Sequence, residues 1–568
     1  MEFFSNGKTN KRIVLQPTIK SRNRRCCLMV KYIFVVGGVI SGVGKGVACA
    51  SIGRILIENG FSVTAVKIDP YINSDAGTMR PTEHGEVWVT KDGGEIDQDL
   101  GNYERFLGVE LTKDNNLTTG KIYKEIIDKE RRGDFLGETV SIIPHVPNLV
   151  KEKIKKLAEG FDICLIEIGG TIGDYENIPF LFAAKSLENE LGRENVIHVM
   201  VSYMPIPSHL DEMKTKPTQL AIRLLMENGI QPDFIICRGR DALDDVRKKK
   251  LAGYSNIDFG EIISAPDVIG ENTANSLYTI PLNFEKDNLG EKILKKLKLE
   301  SRKKPEFKEW KEKLNAILNP QKEINVALIC KYLDSGNFQL RDSYLSVSEA
   351  LQHAGANNSC KVNIHWLNSK KLQENPGELL KFNGVIVPGG FGSSGVEGKI
   401  NAIKFVRENK IPFLGLCYGL QLAVIEYARN ICGLKDANTT ENDDKTSNPV
   451  IDIMPEQKGI TDKGATMRLG EQTAILREGT VVFDIYGKKE ISERHRHRYE
   501  VNPEFHKILS DAGLVFSGFS PSGVLAEFIE LPKDKHPFFV ATQAHPEFKS
   551  SLLKPAPLFD AFVKACLH

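Results

Sequence analysis

The stretch YIFVVGGVISGVGKG, residues 32–46, decides how the first half of the chain folds. Its opening, Tyr32 to Val36, is apolar throughout and rich in β-branched residues, which suits a parallel strand covered on both faces. A glycine-rich turn follows, and ACASIGRILIENG (48–60) then reads as a helix. Strand, glycine turn and helix in that order can cradle phosphate. Backbone amides and the helix N-terminus face the anion, and Lys45 reaches the outer phosphates. The usual P-loop pattern is broken twice: Gly38 to Gly44 is one residue too long, and Gly46 stands where Ser or Thr would hold Mg²⁺. A tight turn without a ligand is the alternative reading. The position at the carboxyl end of a first strand, where open α/β sheets bind ligands, favours phosphate.

Outward from this turn, similar runs recur: FSVTAVKID, TVSIIP, FDICLIEIGG, NVIHVMVSY and DFIICR, each read as a strand. Helix-like segments sit between most of them, at 118–132, 146–159 and 215–228. The alternation predicts a P-loop-type, doubly wound parallel α/β domain over residues 31–300. Pro305 then opens a charged stretch with Phe307, Trp310, Leu314 and Ile317 at helical spacing, and Asn319-Pro320 ends it. Residues 301–322 are therefore expected to be a linker helix packed on one side. A second α/β series over 323–568 starts with INVALIC (324–330) and continues through GVIVPGG, PFLGLC and FFVATQAHPEF. Residues 435–449 are polar and read as a surface loop.

With 568 residues the chain has room for two to four domains. Its 41% apolar and 26% charged residues exclude a disordered chain, a collagen and a disulfide-dense mini-protein. A net charge of +1 supplies no field to attract nucleic acid or an anionic membrane surface. No stretch approaches the ~20 apolar residues that a membrane-spanning helix needs. None of the ten cysteines is spaced C-x-x-C, and a reducing cytoplasm is the expected compartment. Residues 1–30 carry seven Lys/Arg against the single acid Glu2. They read as a basic, solvated extension, with a transit peptide as the alternative.

If Gly46 cannot ligate a metal, carboxylates must. Asp97 and Asp99 lie in the acidic loop GGEIDQDLG, and Glu167 ends a very apolar strand. A carboxylate there is costly unless it meets a cation, either a metal or an arginine. The run KTKPTQ (214–219) places two lysines before a helix with an early proline. It is a second anion site or a solvated helix start.

In the C-terminal half, PFLGLCYGLQ (412–421) has the form strand, G-x-C-x-G, helix. That is a nucleophile elbow, with Cys417 at a helix N-terminus that favours the thiolate. His545 and Glu547, in HPE at the end of another strand, complete a Cys…His…Glu order in which His accepts the thiol proton and Glu orients it. The turn Pro388–Phe391 can present N–H groups to an oxyanion. The basic run RHRHR (494–498) stands without interleaved aromatics and does not read as a nucleic-acid site.

Together GGVISGVGKG, VKIDPYINSDAGTMRPTEHGEVWV, DQDLGNYERF, EIGGTIGDYE, KTKPTQ, PGGFG, GLCYGLQ, RHRHRYEVN and HPEF resemble the CTP synthase family from about Tyr32 to the C-terminus. The resemblance implies a P-loop synthetase domain joined to a class I glutamine amidotransferase domain. It implies a ligase that aminates UTP to CTP with ATP and glutamine-derived ammonia, the last step of de novo CTP synthesis. Carried over, Gly42, Val43, Gly44, Lys45, Gly46, Val47 and Asp99 would contact ATP, while Asp99 and Glu167 would hold Mg²⁺. Ser41, Asp174, Tyr175, Glu176, Lys214, Thr215, Lys216, Pro217, Thr218, Gln219 and Lys250 would frame UTP and the feedback inhibitor CTP. Gly390, Tyr418, Gly419, Leu420, Gln421, Glu441 and Arg498 would hold glutamine around Cys417, His545 and Glu547. Activation by GTP, a homotetramer and filaments are further implications; residues 1–30 have no counterpart. Two rivals stand beside this reading. Another P-loop amidotransferase, such as a cobyrinic acid amide synthase, would lack KTKPTQ and GDYE. A non-catalytic nucleotide-regulated filament protein would not need the intact triad.

Overall fold

The computed structural model describes residues 29–568 apart from 81–84, 210–211, 270–275, 331–333, 336–337, 340, 455–456, 458–463 and 465. The basic extension expected at the start lies, up to residue 28, outside the described residues.

Seven parallel strands form the first sheet, in the order Asn116–Thr118, Val63–Asp69, Ile163–Ile168, Lys31–Gly37, Val196–Tyr203, Phe234–Gly239 and Ile262–Pro266. The opening strand is central because both of its faces are apolar. Ile33 and Val35 pack on one side with Ile52, Ile55 and Leu56 of the helix Lys45–Glu58. Tyr32, Phe34 and Val36 pack on the other with Val150, Ile154 and Phe180. Alternate residues thus feed two cores, as a two-residue period requires. From this strand the sheet grows in both directions, which puts a ligand crevice at its carboxyl end.

One expected strand is absent. TVSIIP (139–144) runs into the helix Ile142–Ala158, with Ile142 56% and Ile143 40% exposed. A doubly covered strand would have to hide those side chains, and Pro144 and Pro147 offer no N–H to a ladder. β-Branched composition alone did not decide this segment.

The linker region contains a helix, Lys308–Leu318. Its Trp310 is buried, lies 5.4 Å from Phe106 and 5.5 Å from Tyr278, and donates its indole N–H to the Tyr278 carbonyl at 2.8 Å. The second sheet begins with five parallel strands, Cys360–Asn368, Lys322–Cys330, Gly384–Val387, Phe413–Leu416 and Phe539–Thr542. Four antiparallel ones extend it: Ala526–Glu530, Val515–Phe519, Arg468–Leu476 and Glu490–His497. The run RHRHR lies at the end of the last of these, where Arg494, His495 and His497 are buried. The stretch 435–449 is more than a surface loop: Asn438–Thr439 pairs with Pro449–Ile453, and Thr439 is buried. Phe548 and Leu552 join a core that also holds Trp88, Phe106 and Trp310, so apolar packing runs from one half of the chain to the other.

Candidate active sites

The carboxyl ends of the central strands open into a cavity of about 970 Å³. It is lined by Ser41, residues 42–47, Lys67, Asp97, Asp99, Glu167, Asp174 and Glu176, among others. The helix Lys45–Glu58 starts at this cavity behind Gly44, and no side chain caps it. Its first amides are therefore not claimed by a cap and suit an anion. Lys45 Nζ donates to the Gly170 carbonyl at 2.7 Å. Burial holds its pKa below that of a free lysine, while Glu167 pulls the other way.

The missing hydroxyl of the phosphate loop has a steric cause. A Cβ at Gly46 would sit 2.2 Å from Asp99 Oδ1, so Ser or Thr cannot stand there while that carboxylate does. Glu167 is 1% exposed, and its partner is a lysine rather than an arginine. Lys67 Nζ lies 2.9 Å from Glu167 Oε1 and 3.8 Å from Asp69 Oδ1, and also pairs with Asp99. The Tyr103 hydroxyl donates to the other Glu167 oxygen. Burial opposes the charge on Lys67, but Asp99 and Glu167 outweigh it and hold the ammonium protonated. Burial, with Asp99 beside it, pushes Asp97 up to about 7. Such a crowd of carboxylates around one cation is poised to accept a second.

Not every expected residue comes to this cavity. Ser41, Asp174 and Glu176 line it, whereas Tyr175 is 77% exposed and outside the lining. Lys214, Thr215, Lys216, Pro217, Thr218, Gln219 and Lys250 lie outside it as well. Lys214 pairs with Glu212, and the Thr218 hydroxyl meets Ser202 Oγ at 2.9 Å. Pro217 sits in the first turn of the helix Lys216–Glu227.

In the second half, Cys417 joins the strand Phe413–Leu416 to the helix Tyr418–Asn430 at φ 49° and ψ −100°. Such a backbone costs a non-glycine residue ~1–3 kcal/mol, and it projects the side chain from a sharp elbow. His545 Nδ1 bonds Glu547 Oε1 at 2.7 Å. Burial works against an imidazolium, yet the Glu547 carboxylate and Cys417 outweigh it and push His545 up to about 10. A Cβ at Gly389 would lie 2.8 Å from His545 Cε1 and 3.8 Å from Cys417 Cβ. The Pro388–Phe391 turn therefore lies directly against the pair.

Around them, the Gly392 N–H donates to Glu441 Oε1 at 2.7 Å. The Tyr418 hydroxyl donates to the Gly392 carbonyl at 3.3 Å and accepts from Asn442 at 3.0 Å. Glu441 thus holds Gly392 beside the Gly390 turn, and Tyr418 and Asn442 tie that turn to the helix that follows Cys417. Gln421 Nε2 donates to the Tyr499 carbonyl at 2.8 Å and to Gln543 Oε1 at 3.3 Å. Leu420 is a core side chain and offers the site no polar atom. Arg498 points to Gln457 Oε1 and Thr466 Oγ1, at 2.7 and 2.6 Å.

Three site residues were missed in the sequence. Gln543 Nε2 donates to Cys417 Sγ at 3.6 Å, and its place two residues before His545 was the available signal. Lys67 stood out as the cation inside the apolar run VTAVKID. Tyr103 carried no signal, since only the fold brings it to Glu167.

Residues 31–299 match the family model described as CTP synthase N-terminus, and 339–565 the one described as glutamine amidotransferase class-I. The chain is 52% identical over 547 residues to CTP synthase of Methanocaldococcus jannaschii, covering 95% of this chain and 99% of that relative. It is 50% identical over 544 residues to CTP synthase of Caldanaerobacter subterraneus, with 95% and 99% covered. A solved glutaminase domain of Trypanosoma brucei CTPS with bound acivicin is 34% identical, with a TM-score of 0.40, covering 43% of this chain and 94% of that one.

Proposed function

The chain belongs to the CTP synthase family, and we propose on that premise that it is a ligase aminating UTP to CTP with ATP, using ammonia its own second domain frees from glutamine. Cys417 gives its proton to His545 and attacks the glutamine side-chain amide. The C–N bond breaks, ammonia leaves with the proton from His545, and water hydrolyses the glutamyl thioester to glutamate. Glu547 orients His545 and balances its charge, and amides of the Pro388–Phe391 turn receive the oxyanion. Gly390, Tyr418, Gly419, Leu420, Gln421, Glu441 and Arg498 surround glutamine, Leu420 through its backbone.

In the first domain Lys45 and the amides of residues 42–47 hold the phosphates of ATP, whose terminal phosphoryl group passes to the uracil 4-oxygen of UTP. Ammonia travels inside the protein to C4, and phosphate departs. Ser41, Asp174 and Glu176 face UTP from the cavity wall; for Tyr175, Lys214 to Gln219 and Lys250, which lie outside the lining, a part in framing UTP and inhibitory CTP rests on the family resemblance alone. Asp99 and Glu167 would hold Mg²⁺, which neutralises phosphate charge when bound. The donor set fits that ion: Asp99 and Glu167 share one cation, Lys67, at the cavity wall, and Mg²⁺ is usually held by one or two carboxylates plus phosphates and water.

The same reading makes residues 31–300 the synthetase unit, 301–322 the linker and 323–568 the glutaminase, with 1–30 outside both. It also includes GTP as activator, a homotetramer able to stack into filaments, and a cytoplasmic location. Among the described residues no helix is long and apolar enough to cross a membrane. One observation carries the proposal: a Cys417 elbow backed by the His545–Glu547 pair stands in the same chain as a carboxylate-lined phosphate cavity. The test is CTP formation from UTP and ATP, with glutamine and then with ammonia. CTP from both supports it, and CTP from neither refutes it.

A further inference from the structure

One buried cluster has no part in the chemistry above. Trp88, on the short strand Val87–Val89, is 1% exposed and lies where the two halves meet. Its ring packs edge-on against Phe548 at 5.0 Å. Phe548 in turn stacks on His545 at 5.2 Å, with 18° between the planes. The guanidinium carbons of Arg105 and Arg494 stand 4.8 and 5.4 Å from the Trp88 ring. Arg494 pairs with Glu104 at 2.8 Å and donates to the Val89 carbonyl at 3.0 Å. Its own carbonyl accepts the His545 N–H at 2.8 Å.

Both the ring and the main chain of His545 therefore rest on groups anchored in the first domain. The other strand of the same ribbon leads to the nucleotide cavity. Trp88 pairs with Ile96 and Val87 with Asp97, and Asp97 and Asp99 line that cavity. The glutaminase base is thus braced by a ribbon whose other strand carries Asp97 and runs on to Asp99 at the start of the next helix.

We infer that Trp88 is a positioning residue for His545, so that glutamine hydrolysis reaches its full rate only with the two domains docked through the Trp88–Phe548 contact. The inference rests on the glutaminase role proposed for Cys417 and His545. Trp88 touches neither sulfur nor imidazole; it acts through Phe548. Replacing the indole by a smaller, non-aromatic side chain leaves Phe548 free to tilt and His545 with it. A misplacement of about 1 Å in a catalytic group can cost about 10²-fold in rate.

The experiment uses the full chain as wild type, Trp88→Leu, Trp88→Phe and Glu104→Gln, each checked for fold by circular dichroism. Glutamate release is measured for kcat and KM, and CTP formation with ammonia is followed in parallel. In Trp88→Leu we expect kcat for glutamine hydrolysis to fall about 10–10²-fold. KM for glutamine and the ammonia-dependent rate should stay unchanged, and Trp88→Phe should recover most of the loss. Glu104→Gln, which weakens the Arg494 anchor, should lower kcat in the same direction and decides the matter if Trp88→Leu does not fold. Equal loss with ammonia, a rise in KM at unchanged kcat, or a Phe variant no better than Leu would overturn the inference. A wild type that released no glutamate would instead defeat the functional reading on which it stands.

Discussion

Replacing Glu547 by Gln removes one negative charge from the back of His545 while keeping the side-chain shape. Glu547 is 2% exposed, and its Oε1 lies 2.7 Å from His545 Nδ1, so water cannot take over the contact. A hydrogen bond to a charged group contributes about 1.5–3 kcal/mol. At 1.36 kcal/mol per decade, its loss slows glutamine hydrolysis about 10–10²-fold. The pH dependence changes as well. His545 is pushed up to about 10 because Glu547 and Cys417 overcome burial. Without the carboxylate burial gains ground, and the imidazole becomes a weaker base for the thiol proton. Between about pH 7 and about pH 9, native hydrolysis should vary little, whereas the variant, its imidazole no longer held up by the carboxylate, should lose that flat profile. The assay is initial glutamate release across that range, beside CTP formation from ammonia. An unchanged rate, an unchanged pH profile or an equal loss with ammonia would refute the role given to Glu547.

Cys417→Ala should lose at least ~10³-fold in glutamine-dependent CTP formation and keep most of the ammonia-dependent rate, measured at saturating ATP and UTP. Glu167→Gln should abolish CTP formation from either nitrogen source. It should also lower the melting temperature, because breaking a buried ion pair costs about 3–5 kcal/mol and Lys67 loses its 2.9 Å partner. Substantial ammonia-dependent synthesis in that variant would make Glu167 merely structural. Gly46→Ala should displace Asp99, since its Cβ would fall 2.2 Å from Oδ1. CTP synthesis from both nitrogen sources should then fall while glutamate release persists, and normal synthesis in that variant would contradict the steric account.

Much of both sites was legible in the sequence because each is built on a contiguous unit. A strand, a glycine turn and a helix adjacent in sequence make the phosphate loop and the Cys417 elbow, and their geometry follows from backbone hydrogen bonding within some fifteen residues. His545 and Glu547 are two residues apart, so their pairing is local too. The same local rules misjudged TVSIIP, whose β-branched residues say nothing of which neighbour would cover them. They also read residues 435–449 as a loop, because Glu441 meets the turn that faces Cys417 only through Gly392, 49 residues away.

By itself the sequence determined the fold class, the order of the two domains and the strand–turn–helix elbow at Cys417, since all three depend on residues close along the chain. The tertiary structure alone decided what surrounds them. Lys67 meets Glu167 across 100 residues because their strands are neighbours in one sheet. Arg494 meets Val89 across 405 because two domains dock. A buried charge must find its partner wherever the packing of apolar faces brings one, and the order of strands in a sheet, unlike the period within a strand, is set by contacts among residues far apart in the chain.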